Sequence, residues 1–321
     1  MSVKLGTFLS NPKRVTGGAV QGSVLGVLDR NVVLNDLDED LPDIYSAKYV
    51  DDLTLIDTVE VEVQCMIDQT PKKTLHTFSP PNTVSSFEKI KQKANSKGLK
   101  INEKKTQILS VSSVWYDTEA LIKMGDQTIT SGEELKMLGF YFSPQPTVKL
   151  QIEKLVKKAN KRFFLLLKYK RAGVRKERLR DIYTSIIRSC LEYSSPVYHC
   201  QLNGYLNNLL ERVQKKCLRT IYRYSMEYEE LLGASNLSRL EQRRVIAFQK
   251  FTNKTVKNTK YANWFPKREI IKETRNTSIY LEELAVGDRL YNSPLFAMRH
   301  YLNNTESHRQ TSDLIGIFNT P

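Results

Sequence analysis

From residue 148 to about residue 221, apolar side chains recur at helical spacing, and that periodicity constrains the fold more than any single residue does. Ile152, Leu155, Val156, Ala159, Phe163, Leu166 and Leu167 fall on one stripe, because residues three and four apart share a helix face. Similar stripes run through Leu179, Ile182, Tyr183, Ile186, Ile187 and Cys190, and through Leu206, Leu209, Leu210, Val213, Cys217 and Ile221. Each stripe must be buried against another element, so a helical assembly follows from residue 148 on.

Before that point the pattern is different. Ile44 to Val50 and Leu53 to Ile56 flank Asp51-Asp52, which predicts a tight β-hairpin with two carboxylates at or near its turn. Pro71, Pro80 and Pro81 predict a loop over residues 66–82. Ser85 to Lys97 fits a helix, and Leu99–Ile101 and Gln107–Val111 fit strands. Glu119–Ile129 and Leu135–Phe142 read as one hairpin around Thr130-Ser131-Gly132. The expected class is α+β, mixed at first and all-helical afterwards.

The net charge of +14 is unevenly placed. Residues 1–146 sum to −3, whereas residues 147–190 carry 14 basic side chains against Glu153, Glu177 and Asp181. A merely solvated helix face intersperses both signs. A positive excess confined to one stretch, beside an acidic one, fits a polyanion-binding arm next to a cation-binding site.

Other classes fit poorly. The longest aliphatic and aromatic run is Phe163 to Leu167, far short of the roughly 20 residues that cross a bilayer. Met1 to Gly6 lacks a secretory pattern, and Cys65, Cys190, Cys200 and Cys217 show no paired close spacing. A reducing intracellular setting, nuclear or cytoplasmic, is expected, with no membrane partner. His76, His199, His300 and His308 are scattered, and His199-Cys200 with Cys217 lacks zinc-knuckle spacing.

Two adjacent aspartates at a tight turn suit a divalent cation, and Mg²⁺ prefers such oxygen ligands and shares them with phosphates. The residues around the pair add a pattern. Gly18-Ala19-Val20-Gln21-Gly22-Ser23-Val24-Leu25-Gly26 is followed by Asn35-Asp36-Leu37, then Tyr49-Val50-Asp51-Asp52. Gly98-Leu99-Lys100-Ile101-Asn102 with Lys105-Thr106, and Leu138-Gly139-Phe140, come next. In this order they resemble the motifs of a LINE-type (non-LTR) retrotransposon reverse transcriptase. The resemblance continues through Arg243-Arg244, Trp264-Phe265-Pro266 and Tyr291-Asn292-Ser293-Pro294-Leu295.

That resemblance implies an RNA-directed DNA polymerase working by two-metal nucleotidyl transfer on an RNA template, a DNA primer and deoxynucleotide triphosphates. It implies a partial palm over residues 1–146, a basic helical thumb over 147–200 and a helical C-terminal region over 201–321. Asp51 and Asp52 would hold Mg²⁺, and Lys105 would face the leaving pyrophosphate. Gln21, Gly22, Ser23 and Tyr49 would contact nucleotide and template. Leu138, Gly139 and Phe140 would form the primer grip. Lys154, Lys157, Lys158, Lys161 and Arg162 would hold duplex phosphates without reading bases.

Departures from the pattern shape the expectation. The family's first catalytic segment, an aspartate-bearing strand, precedes the glycine segment, whereas residues 1–16 hold no Asp or Glu. One metal ligand and the fingers are thus missing from the match. Val20 and Val27 stand where proline is usual, Lys93 where tryptophan is common, and Asp29-Arg30 where apolar helix residues are expected. Buried unpaired, those two charges would cost several kcal/mol. Little or no polymerase activity is expected from this chain by itself. Two rival readings remain: a non-catalytic nucleic-acid-binding remnant, and a non-functional fragment whose palm cannot close.

Overall fold

The computed structural model describes residues 2, 4–12, 28, 32–39, 41, 44–58, 76–78, 81–111, 118–124, 127–222, 224–268, 279–282 and 292–317. The chain mixes helix and small sheets and divides into two compact units, Met1–Leu135 and Lys136–Pro321. Among the described residues no helix is long and apolar enough to cross a membrane.

The first unit opens with a short exposed hairpin, β1 (Lys4–Leu5) and β2 (Phe8–Leu9), turned by Gly6 at φ +62°. The expected carboxylate hairpin is present: β3 (Tyr45–Tyr49) pairs antiparallel with β4 (Asp52–Ile56). The helix expected from Ser85 starts earlier, as α1 (Pro81–Ser96). Pro81 stands at its first position, where a missing backbone N–H leaves nothing unsatisfied. The helix ends in a Schellman turn: Gly98 takes φ +70° and the Leu99 N–H bonds the Ala94 carbonyl at 2.8 Å. Phe87 of α1 is buried among Val84, Ile101, Ile108 and Ile129.

Three strand expectations need correction. Within the segment read as a loop, His76–Phe78 is a strand, β5, in parallel register with β6 (Thr118–Met124); residues 66–75 and 79–80 lie outside the described set. Leu99–Ile101 is irregular, and Gln107–Val111 contributes only an isolated bridge, Ile108 to Ser131. The single hairpin expected over residues 119–142 is two. β6 pairs with β7 (Gln127–Thr130), and β8 (Leu135–Met137) turns directly into β9 (Phe140–Phe142). The second turn is local, with Leu138 at φ +49° and Gly139 at φ +82°. Left-handed values at both link positions match the right-handed twist of a two-residue hairpin.

The second unit is built on α2 (Lys149–Arg171), whose Ile152, Leu155, Ala159, Phe163 and Leu166 are buried as the stripe requires. The buried Gln151 accepts the Tyr141 N–H at 3.0 Å, which fixes β9 to this helix. α3 (Lys176–Ile182) runs on through a π turn, Tyr183–Arg188, into α4 (Ser189–Leu191). In the π turn the Ile186 carbonyl accepts from Arg162 at 2.5 Å, and Ser185 donates back to the Asp181 carbonyl of α3 at 2.7 Å. Side-chain donors there supplement the widened backbone ladder.

α5 (Ser195–Tyr198) leads to α6 (Gly204–Ile221), capped by Asn203, whose side chain accepts the Leu206 N–H. Leu206, Leu210, Val213, Cys217 and Ile221 complete the main core with α7 (Tyr228–Ser235). A second cluster, Phe248, Phe265, Tyr280, Met298 and Leu302, joins α8 (Leu240–Val256) to α9 (Pro294–Ile317). The C-terminal residues singled out in the sequence have structural work here. Arg243 donates to Glu192 through two nitrogens, Arg244 is buried and bonded to Asn207, and Arg299 donates to the Trp264 carbonyl at 2.8 Å.

Candidate functional site

In the first unit, Tyr49 and Asp52 are the last paired residues of the hairpin, so Val50 and Asp51 form its link. Val50 takes φ +57°, a conformation that a β-branched side chain resists and that costs about 1–3 kcal/mol. Glycine would relieve this strain. Instead the turn carries valine next to two exposed carboxylates. Strand alternation puts Tyr49, Ala47 and Asp52 on one face, with Ser46 and Lys48 on the other.

The second face ties the hairpin to the Asn35-Asp36-Leu37 segment. Lys48 Nζ reaches the Asp38 carboxylate and the Asn35 carbonyl, and Ser46 Oγ donates to Asp38 at 2.5 Å. From α1, Lys93 donates to the Asp36 carbonyl at 3.0 Å, while Lys97, just past the helix, bonds the Asp36 carboxylate and donates to the Val33 carbonyl at 2.9 Å. Lys93, set where the family resemblance calls for tryptophan, thus acts as a tether. Three segments separated in sequence meet through three lysines.

These contacts carry a pH signature. The Lys97 hydrogen bond holds the Asp36 carboxyl below its usual range, with desolvation opposing. Burial acts to raise the Asp38 carboxyl, and the bonds from Lys48 and Ser46 outweigh it, so it too sits low. A depressed folded value stabilises above the ordinary carboxylate pKa, and the contribution disappears as pH falls through the folded value. Amide protection over residues 32–39 and 45–49 should therefore fall as pH drops below about 4. Asp36→Asn with Asp38→Asn should lower that protection already at neutral pH and flatten its acid dependence. Equal acid sensitivity in the double variant would rule these carboxylates out as the cause.

Of the other expected residues, Lys105 lies on a short 3-10 helix, Glu103–Lys105, with its side chain exposed. Gln21, Gly22 and Ser23 lie outside the described residues. Leu138, Gly139 and Phe140 belong to the second unit. There the Leu138 carbonyl accepts from the Tyr193 hydroxyl, Gly139 lies against the Tyr193 ring, and Phe140 packs on the core. A Cβ on Gly139 would meet that ring at 3.3 Å, so the glycine serves both the turn and this close approach.

The basic helix sorts into two groups. Lys157, Lys158 and Lys161 are exposed on α2. Lys154 sits 5.0 Å over the Tyr141 ring, and Arg162 is engaged with the π turn. An open groove of about 650 Å³ runs beside the free lysines, lined by Glu153, Val156, Lys157, Asn160 and Lys161 of α2 and by Tyr205 and Leu209 of α6. The sequence reading missed Tyr205. Its one available signal was an aromatic residue at the first turn of a helix, outside the apolar stripe.

Asp51 and Asp52, adjacent in sequence and both exposed, carry the hard oxygen donors that Mg²⁺ prefers. Among the described residues no group of three or more His, Cys, Asp or Glu side chains is placed to hold a metal ion. No protein-family model, no curated protein and no solved structure matches the chain.

Proposed function

We propose that this chain is the C-terminal part of a non-LTR retrotransposon type of reverse transcriptase, with a partial palm over residues 1–146, a basic helical thumb over 147–200 and a helical C-terminal region over 201–321. The supporting observation is the strained hairpin turn bearing Asp51 and Asp52, joined through Lys48 to the Asn35–Asp38 segment, which Lys93 and Lys97 in turn tie to the C-terminal end of α1. Adjacent acidic residues at the tip of a hairpin would gather cations beside a triphosphate. Asp51 and Asp52 would hold Mg²⁺, which when bound neutralises charge on the transferring phosphoryl group. Lys105 would stabilise the leaving pyrophosphate. Gln21 to Ser23 and Tyr49 would line the nucleotide and template, and Leu138 to Phe140 the primer end. Of the three carboxylates the resemblance calls for, these 321 residues provide two, so this chain by itself polymerises little or nothing.

A second reading, a nucleic-acid binder without catalysis, is favoured by the exposed lysines and groove of α2, which need nothing from the hairpin. One measurement tests the expected inactivity, and a second separates the readings. Primer extension on an RNA template with Mg²⁺ and deoxynucleotides should give no product above blank. Product that disappears in Asp51→Ala would overturn the claim of inactivity. Mn²⁺, as a paramagnetic stand-in, should broaden the amide signals of residues 49–53, and Asp51→Asn with Asp52→Asn should abolish this. Broadening that survives in the variant, or none in the wild type, would remove the metal site and leave the binder.

A further inference from the structure

We propose that the groove between α2 and α6 seats an unpaired nucleobase, so that the second unit takes single-stranded nucleic acid as well as duplex backbone. The proposal rests on the reading of α2 as a nucleic-acid-binding helix and names what that surface recognises beyond phosphate. Val156, Lys157, Asn160 and Lys161 stand three, four, seven and eight residues after Glu153, so the five form one face of α2. Tyr205 and Leu209, four apart on α6, form the facing wall.

The chemistry of the wall is divided. Tyr205 is 59% exposed, and with Val156 and Leu209 it offers an aromatic face beside an apolar floor. A tyrosine left this exposed at the mouth of a groove has its π face available, which is the feature that sequence-tolerant single-strand binding uses. Lys157 and Lys161 stand one turn apart, about 6 Å along the axis, a spacing comparable to that of neighbouring phosphates on one strand. Between them the Asn160 amide offers both a donor and an acceptor to a base edge. The groove, about 650 Å³ and open to solvent, has room for one base laid against its wall.

The stripe continues along the helix. Phe164, 56% exposed, lies one turn beyond Lys161, and the Lys168 ammonium sits 5.1 Å over its ring. A basic groove walled by one exposed aromatic ring fits a strand that turns a base inward. An acidic peptide would use the lysines but would gain little from an open aromatic wall.

The test uses the full chain and fluorescence anisotropy at low salt with three probes: a short oligothymidylate, an abasic strand of equal phosphate number, and a duplex. The wild type should bind oligothymidylate more tightly than the abasic strand. Tyr205→Ala should weaken oligothymidylate binding by roughly 5- to 150-fold, the range for one lost base stack, while moving abasic and duplex binding less than about twofold. Tyr205→Phe, which keeps the ring, should retain affinity. Lys157→Gln with Lys161→Gln should weaken all three. If Tyr205→Ala binds oligothymidylate as the wild type does while the lysine variant weakens all probes, the base seat is wrong and the backbone-binding reading stands. If no probe binds, both fall. Tyr205 is exposed, and an unchanged thermal transition would show that its variants fold.

Discussion

Replacing Gln214 with alanine should destabilise the helical unit by about 3–5 kcal/mol, combining a lost core volume with stranded polar groups. Gln214 is fully buried. Its Oε1 accepts from Tyr183 at 2.5 Å, and its Nε2 donates to the Tyr228 hydroxyl at 2.9 Å and the Ser238 carbonyl at 3.1 Å. Tyr228 in turn donates to Glu211, whose other oxygen accepts the Glu241 N–H at 2.9 Å. Burial pushes the Tyr183 phenol well above its ordinary pKa, so the group remains a donor at any ordinary pH and needs its acceptor.

Far-UV circular dichroism of the full chain would read the effect as a drop in melting temperature on the order of 10 °C. A control isolates the mechanism: Tyr183→Phe combined with Gln214→Leu removes both ends of the Tyr183–Gln214 bond and keeps most of the volume, leaving only the Tyr228 hydroxyl and the Ser238 carbonyl without the amide donor, so it should recover part of the loss. A double variant no more stable than Gln214→Ala, or a single variant within about 1 kcal/mol of the wild type, would show that this network does not hold the core. A cooperative transition would also count against the reading of the chain as a fragment unable to fold.

Gln214 shows where periodicity stops being informative. The stripe through Leu206, Leu210, Val213, Cys217 and Ile221 was legible, because apolar residues at that spacing have to face inward. Gln214 sits beside Val213 on the same side, and the pattern cannot tell that a polar residue there will find Tyr183, 31 positions earlier. Lys154 and Arg162 pose the same problem in reverse. Both read as outward charges, yet one covers the Tyr141 ring and the other bonds a carbonyl of the π turn.

The same division holds in the first unit. The hairpin at residues 45–56 was legible because two apolar stretches around a short polar link are a local signal. β5 was not, since His76–Phe78 is a strand only by parallel pairing with residues 118–120, which no local pattern announces. The candidate carboxylates could be located from sequence. The lysine tethers that hold their strand could not, because Lys48, Lys93 and Lys97 look like ordinary surface lysines until Asp36, Asp38 and the carbonyls around them are brought near.

Replacing Lys157, Lys158 and Lys161 together by glutamine should take about 2.7 out of the slope of log affinity against log salt for duplex DNA, at roughly 0.9 per neutralised phosphate. Between about 50 and 200 mM salt the wild type should then lose roughly 40-fold more affinity than the variant. The three side chains are exposed, so thermal stability should move by no more than about 0.5 kcal/mol. Arg162→Gln should behave in the opposite way, because its guanidinium serves the Ile186 carbonyl: stability falls while the salt slope holds. If Arg162→Gln lowers the slope and leaves stability intact, the division of this helix into phosphate-facing and fold-holding charges is wrong. If the triple variant keeps the wild-type slope, the excess of basic residues over 147–190 has some purpose other than meeting a polyanion on this face.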